Sequence, residues 1–187
     1  MIFISPWQQA MLGNSDHWYL DGTFFVVPNG SYQLINIAIY DNLSDIYIPL
    51  VWALTSHKTY DLYINLFWDI AKLLPAMKKL RITVDFEQKL SEALKVIFEC
   101  DICGCYYHFS ECIQKKAKKL GLLSGDREKE TQEVIKNLKS LVFTSSENFD
   151  NKCKQILNQY NQASQQLDNN SKGYHQGMLG KIFINTL

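Results

Sequence analysis

The sequence predicts an α/β fold in which a three-stranded antiparallel meander is followed by alternating helices and strands. Three observations support this class. Three apolar, strand-like segments with short turns come first, and amphipathic helical segments then alternate with short apolar ones. At 187 residues, 47% of them hydrophobic, the chain is long enough to bury a core.

The meander is predicted from segments rich in aromatic and β-branched residues. These segments are residues 18–27, 32–40 and 46–54. Pro28, Asn29 and Gly30 predict a tight hairpin between the first two strands, because Asn-Gly suits a short turn. Residues 41–45 form the second turn, and Pro49 predicts a bulge or a sheet edge in the third strand.

Helical periodicity begins after the third strand. The predicted elements are a helix within 59–74, a strand at 80–84, a helix carrying Leu90, Leu94 and Ile97, a strand near 101–105 and a helix from about 107 to 120. The order βββαβαβα is that of a ribonuclease-H-like domain, in which the first strand is central and pairs in parallel with the fourth. We therefore predict a core over residues 1–122 and a helical extension over 123–187, in which residues 155–176, rich in Asn and Gln, are the least ordered.

Two acids occupy strand positions of this predicted sheet. Asp21 lies within the first apolar strand, and Asp85 follows the fourth directly. An unpaired carboxylate in apolar surroundings costs several kcal/mol, so such acids are typical of a cation site. The predicted topology brings both together as half of a divalent-metal site, with Gly22 leaving room for a ligand. The alternatives are a lysine partner for Asp21, and an N-cap role for Asp85 in a capping box with Gln88.

Composition restricts the other function classes. The formal net charge of zero gives no global attraction to nucleic acid or membrane, and no apolar run approaches the length of a membrane helix. An odd number of cysteines, five, does not indicate a disulfide framework, and reduced thiols in an intracellular compartment are expected. The sequence leaves open whether the chain forms a homo-oligomer.

Two further clusters invite a functional interpretation. Cys103, Cys105, His108 and Cys112 have ligand chemistry but lack the paired spacing of a zinc finger, so we do not expect zinc. Small buried cysteines are the alternative. The basic residues Lys115, Lys116, Lys118 and Lys119 form either a solvated helix face or a contact to the phosphates of DNA.

A succession of sequence blocks resembles the transposase domain of Mutator-like elements (MULEs). The blocks are DGTF (21–24) with YQL (32–34), AL and HKTYDLY within 53–63, TVDFE (83–87), GCYYHF (104–109) running to KKLGL (118–122), LKSLVF (138–143) and DNNSKGYH (168–175). The resemblance covers roughly residues 5–180, and the succession is its strongest feature.

The resemblance implies a DDE transposase that cleaves and transfers DNA strands in the nucleus. Asp21 and Asp85 would be the first and second ligands of two Mg²⁺ (or Mn²⁺) ions, which activate a water and then a 3′-hydroxyl. His108 and Cys105 would support the site, because the family carries this Cys-x2-His pair. Glu87 suits the start of a helix better than a ligand role.

The third ligand departs from the family pattern. Alignment of the GYH residues places Lys172 where the family has its glutamate, and the preceding segment is shortened. An ammonium would repel a metal ion. Other acids that could substitute lie outside family blocks, and they are Glu128, Glu130, Glu133 and Glu147. We therefore expect a truncated domain with impaired catalysis. The alternatives are a non-catalytic remnant that binds DNA or protein, and a relic without function.

Overall fold

The computed structural model describes residues 1–74, 79–119, 123 and 128–168. These residues form an α/β fold with a mixed six-stranded sheet and six α-helices, so the predicted fold class is confirmed at that level. The chain divides into two compact units, Met1–Cys105 and Tyr106–Leu187. The predicted division into 1–122 and 123–187 stays a prediction. Within the described part of the chain, no helix is both long and apolar enough to span a membrane.

The first unit contains the sheet. Its elements are β1 (Ile2–Phe3), α1 (Pro6–Asn14), β2 (His17–Thr23), β3 (Gln33–Asp41), β4 (Ile46–Thr55), α2 (Tyr60–Lys72), β5 (Arg81–Val84), α3 (Gln88–Phe98) and β6 (Asp101–Gly104). The strand order is β1-β4-β3-β2-β5-β6. β2 pairs antiparallel with β3 and parallel with β5, as predicted for the first meander strand and the fourth strand.

Strand alternation decides which side chains of β2 enter the core. Trp18 and Leu20 are buried, whereas Tyr19 and Asp21 lie on the opposite face. The indole nitrogen of Trp18 donates a hydrogen bond to the Leu12 carbonyl at 3.1 Å, and its ring meets Phe98 edge-on with centroids 5.1 Å apart. The apolar faces of α2 and α3 pack into the same core.

The bulge predicted at Pro49 is confirmed. Ile37 of β3 faces Val51 and the next residue, Ala38, faces Pro49, so Leu50 is the extra residue in β4. β1 pairs with β4 only at Trp52 and Ala53, so this pairing does not reach Pro49.

The tight hairpin predicted after the first strand is wrong. β2 ends at Thr23 rather than at residue 27, and residues 24–32 form a longer loop. Within it, Ser31 N donates to the Pro28 carbonyl at 3.0 Å, and Gly30 has φ of 90°. A tight type I′ hairpin needs positive φ at both central residues, whereas only Gly30 has it here.

Two helical segments differ from the predictions. The helix α1 was not predicted, although Ser5 and Gln8 form a capping box and Pro6 occupies its first turn. The segment 155–176, predicted to be the least ordered, is helical up to Asp168, and its residues 169–176 lie outside the described residues. The reason for the helix is amphipathicity, since Ile156 is buried in the core of the second unit.

The second unit is helical in its described residues. It contains α4 (Tyr106–Lys119), α5 (Glu128–Lys139), a 3-10 helix (Ser140–Phe143) and α6 (Ser146–Asp168). Its core residues come from all four helices, and they are Phe109, Ile113, Ala117, Ile135, Leu138, Leu141 and Ile156.

Candidate functional site

The two predicted acids lie just beyond the last residue pair of the parallel strands β2 and β5. The register of β2 with β5 pairs His17 with Arg81 and Tyr19 with Thr83. Asp21 and Asp85 are each two residues further along, in the same direction. Since neighbouring strands lie about 4.8 Å apart, continuation of this register would bring the two acids together, and their meeting at one site stays a prediction.

The carboxylate of Asp21 is not buried, which corrects the energetic argument that singled it out. Asp21 is exposed and Asp85 is half-buried. The apolar residues around Asp21 in the sequence point alternately to the core, and Asp21 occupies the other face of β2. The exposed carboxylate is therefore accessible to a ligand.

Asp85 does not cap the helix that follows it. The N-cap of α3 is Glu87, which makes no side-chain cap hydrogen bond. Asp85 Oδ1 instead accepts a hydrogen bond from Glu87 N at 3.1 Å, and Gln88 donates to Glu92 at 2.7 Å. The turn over Asp85 to Glu87 delays the start of the helix, so the capping box with Gln88 is wrong.

Glu87 is the acid with the most elaborate surroundings in this region. Its Oε2 lies 2.5 Å from the Lys58 ammonium, and its Oε1 accepts a hydrogen bond from the Tyr63 hydroxyl at 2.7 Å. Only 16% of the Glu87 side chain is exposed. The Lys58 ammonium also lies 4.6 Å from the centre of the Phe24 ring. The partly buried ammonium of Lys58 compensates the charge of Glu87, which fits a structural role.

The space beside Gly22 is filled by a buried amide. A Cβ atom at Gly22 would collide with the Gln33 amide nitrogen, and Gln33 is only 1% exposed. The Gln33 Oε1 lies 3.1 Å from the Tyr63 hydroxyl. The predicted reason for Gly22, room for a ligand, is therefore wrong, because its missing side chain admits Gln33.

The ionisation of Tyr63 favours its role as a donor. Burial raises the pKa of Tyr63, and the hydrogen-bonded Glu87 carboxylate raises it further. The phenol therefore stays protonated throughout the pH range in which proteins are normally studied. Sequence reasoning did not predict the contacts that Lys58, Tyr63 and Gln33 make. Lys58, Tyr63 and Glu87 do lie in the blocks HKTYDLY and TVDFE, but nothing in the sequence showed that these blocks touch.

His17 belongs to a second polar cluster on β2. Its Nε2 lies 2.9 Å from Thr83 Oγ1, and its Nδ1 lies 3.3 Å from the Tyr19 hydroxyl. The rings of His17 and Tyr19 stack with centroids 4.3 Å apart. Burial lowers the pKa of His17, and the positive charge of Arg81 lowers it further.

Asp21 and Asp85 have the ligand chemistry of a hard divalent ion. Mg²⁺ is commonly held by one or two carboxylates and completes its octahedron with water, so a single ion at these two acids stays a prediction. Over the described residues, no group of three His, Cys, Asp or Glu side chains is arranged to hold a metal. Lys172 lies outside those residues. Of the substitute acids, Glu133 and Glu147 are exposed, and the side chains of Glu128 and Glu130 are not described.

Cys105 and His108 belong to different units of the chain. Cys105 follows β6, is half-buried, and donates its backbone N–H to the Val84 carbonyl at 2.9 Å, immediately before Asp85. His108 is half-buried in the first turn of α4. The spacing of Cys103, Cys105, His108 and Cys112 produces no metal-binding group among the residues described.

The predicted DNA-contacting lysines lie on the last turns of α4. Lys115, Lys118 and Lys119 are exposed and Lys116 is half-buried, while Phe109, Ile113 and Ala117 enter the core. Lys115 forms an ion pair with Glu111 at 3.2 Å. A solvated face explains this arrangement, and the DNA contact stays a prediction.

Comparisons with known proteins give no match, either to a protein-family model or to a curated protein. The resemblance to MULE transposases therefore stays a prediction that depends on the sequence blocks.

Proposed function

We propose that this chain is the catalytic core of a MULE-type DDE transposase with a ribonuclease-H-like fold. The observation that carries the proposal is the position of Asp21 and Asp85, each two residues beyond the last residue pair of the parallel β2–β5 ladder. The substrate would be DNA in the nucleus, and the cofactor would be Mg²⁺ or Mn²⁺.

The strand order supports the fold assignment. Without the short β1, the order is β4-β3-β2-β5-β6, with the antiparallel meander on one side of β2 and two parallel strands on the other. This is the arrangement that a ribonuclease-H-like domain requires, with its first strand in the centre. The first acid then lies on the central strand and the second at the end of its parallel neighbour.

The chemistry would follow from accessible oxygen donors. A divalent ion, when bound, would polarise a DNA phosphate and promote ionisation of an attacking water or 3′-hydroxyl. Asp21 is exposed, so its carboxylate can meet a ligand that approaches from solvent. Asp85 accepts the Glu87 N–H, which restricts the orientation of its carboxylate. Both carboxylates would hold the ion against which the phosphate and the nucleophile align for in-line displacement.

Catalysis by this chain would be impaired. The two-ion mechanism needs a further carboxylate, and Lys172 replaces the glutamate that the family resemblance implies. Two acids fit a single ion, and we expect this ion to bind weakly. With one weakly bound ion, little strand-transfer activity is expected. The proposal is thus a transposase core with an incomplete metal site.

Calorimetric titration of Mn²⁺ into the purified chain tests the proposal. We expect weak binding of one ion by the natural chain and loss of that binding in Asp21→Asn. Asp69→Asn is the matched control, because Asp69 is an exposed acid of α2 that pairs with Lys72 at 3.0 Å. Binding that survives Asp21→Asn as well as it survives Asp69→Asn would refute the metal site.

A second candidate is a non-catalytic remnant that binds DNA or protein. The observation in its favour is the missing group of three metal ligands among the described residues. It predicts DNA binding without nicking of a supercoiled plasmid in Mn²⁺. Replacement of Lys115, Lys118 and Lys119 by glutamine should then weaken binding to all sequences alike and reduce its salt dependence.

A further inference from the structure

We propose that Tyr63 is a positioning residue, which fixes the separation of Asp21 and Asp85 through Glu87 and Gln33. This inference rests on the proposed function, because it assumes that the two acids hold a divalent ion. It assigns a role to a largely buried network outside the two candidate ligands.

The pairing of β2 with β5 stops short of the acids. Its last pair is Tyr19 with Thr83, so the register of this ladder ends two residues before Asp21 and Asp85. Beyond that point other contacts must set the distance between the segment that carries Asp21 and the segment that carries Asp85. A metal site tolerates little variation here, since Mg²⁺ requires oxygen ligands at about 2.1 Å.

Glu87 connects Tyr63 to Asp85. The backbone N–H of Glu87 donates to Asp85 Oδ1 at 3.1 Å, so a shift of Glu87 moves the hydrogen-bond partner of the candidate ligand. The side chain of Glu87 is held in turn by Tyr63 at 2.7 Å and by Lys58 at 2.5 Å. Hydrogen bonds to a charged acceptor are the stronger kind, and this one is largely shielded from solvent.

Gln33 connects Tyr63 to the residue beside Asp21. Its amide packs against the backbone of Gly22, at a distance that leaves no room for a Cβ atom. Its own backbone is held from the other side, because Thr55 Oγ1 donates to the Gln33 carbonyl at 3.3 Å. Gln33 therefore transmits the position of Tyr63 to β2 directly after Asp21.

Tyr63 joins the two arms. It is fully buried in α2, and its hydroxyl lies within 3.1 Å of both Gln33 and Glu87. A phenol has one hydrogen, and the shorter, charge-assisted bond to Glu87 uses it. The Gln33 Oε1, 3.1 Å away, is the second acceptor beside this hydroxyl. One side chain thus ties the β5–α3 junction to β3 and β2.

The test is the Mn²⁺ affinity of the Tyr63→Phe variant. The affinity is measured at a temperature at which a thermal unfolding curve shows the variant to be folded. We expect roughly tenfold weaker binding, the lower end of what loss of an outer-shell partner costs a metal site. Tyr40→Phe is the matched control, because the Tyr40 hydroxyl also donates to a carboxylate, that of Asp45, in the β3–β4 region. Its affinity should equal that of the natural chain.

A pair of variants at Glu87 separates positioning from direct metal binding. Glu87→Gln keeps an oxygen that accepts from Tyr63 and should retain most of the Mn²⁺ affinity. Glu87→Ala loses the acceptor and should weaken binding as Tyr63→Phe does. Equal losses in both Glu87 variants would overturn the positioning role. The same pair decides the question if Tyr63→Phe does not fold.

The outcomes distinguish this inference from the proposed function. If Asp21→Asn abolishes binding while Tyr63→Phe behaves like Tyr40→Phe, the positioning role is refuted and the metal site stands. If Asp21→Asn leaves Mn²⁺ binding unchanged, both the proposed function and the inference fail.

Discussion

Replacement of Gly22 by alanine should destabilise the first unit by about 2 kcal/mol, and the loss should depend on Gln33. A Cβ atom at position 22 would overlap the Gln33 amide nitrogen and lie 3.1 Å from its Cδ. Gln33 is 1% exposed and cannot turn into solvent. Overpacking of this kind costs about 1–3 kcal/mol, and displacement of the amide removes a hydrogen bond worth about 1 kcal/mol.

An opposing contribution makes the prediction sharper. Alanine is favoured over glycine within a strand by roughly 0.5–1 kcal/mol, because glycine loses more conformational freedom on folding. In a Gln33→Ala background the obstructing amide is gone, and only this contribution remains. Gly22→Ala should therefore destabilise the natural chain and stabilise the Gln33→Ala variant, with a coupling energy of about 2–3 kcal/mol.

Urea unfolding followed by tryptophan fluorescence measures both effects. All four tryptophans of the chain lie within residues 1–105, so the signal reports the first unit alone. The cycle consists of the natural chain, Gly22→Ala, Gln33→Ala and the double variant. Their free energies of unfolding should have a similar slope against urea concentration, so that their stabilities can be compared directly. An equal cost of Gly22→Ala in both backgrounds would refute the packing argument.

Two further predictions concern ionisation. Because burial and Arg81 lower the pKa of His17 in the folded chain, its contribution to stability is present above the unfolded value of 6.5 and is lost as pH falls through the folded value. The free energy of unfolding should fall below pH 6.5, and less steeply in His17→Gln than in the natural chain; identical slopes in the two would contradict this. Burial raises the pKa of the Cys100 thiol to about 11, so an aromatic disulfide reagent at pH 8 should label exposed Cys112 quickly and Cys100 only on unfolding. If Cys100 is still labelled rapidly in the folded Cys112→Ala variant, the core is not packed as described.

Much of the fold could be read from periodicity. The alternation of Ile35, Ile37 and Ile39 places β3, and the helical spacing of Tyr63, Phe67 and Ile70 places α2. These patterns are reliable because burial on one face of a strand or helix imposes its own period. The helix α1 was not predicted, because only Leu12 of its residues is buried and its sequence shows little apolar periodicity.

The candidate site could be predicted only in part. The candidate acids Asp21 and Asp85 came from the predicted topology and the sequence blocks. The predicted burial of Asp21 and the predicted N-cap at Asp85 were wrong. An apolar strand segment does not reveal which of its faces is covered, and a helix start can move by two residues with a local hydrogen bond. Lys58 and Glu87 illustrate a further limit, because the side chains that pair are far apart in the sequence.

By itself, the sequence determined the order of strands and helices from β2 to α4 and the chemical nature of the two candidate ligands, because local periodicity and residue type carry that information. The tertiary structure alone decided that Asp21 is exposed, that Gly22 makes room for Gln33, and that Tyr63 joins Gln33 to Glu87. Those facts depend on how α2 packs against the sheet. Packing joins residues from four separate segments, and no single segment records its partners.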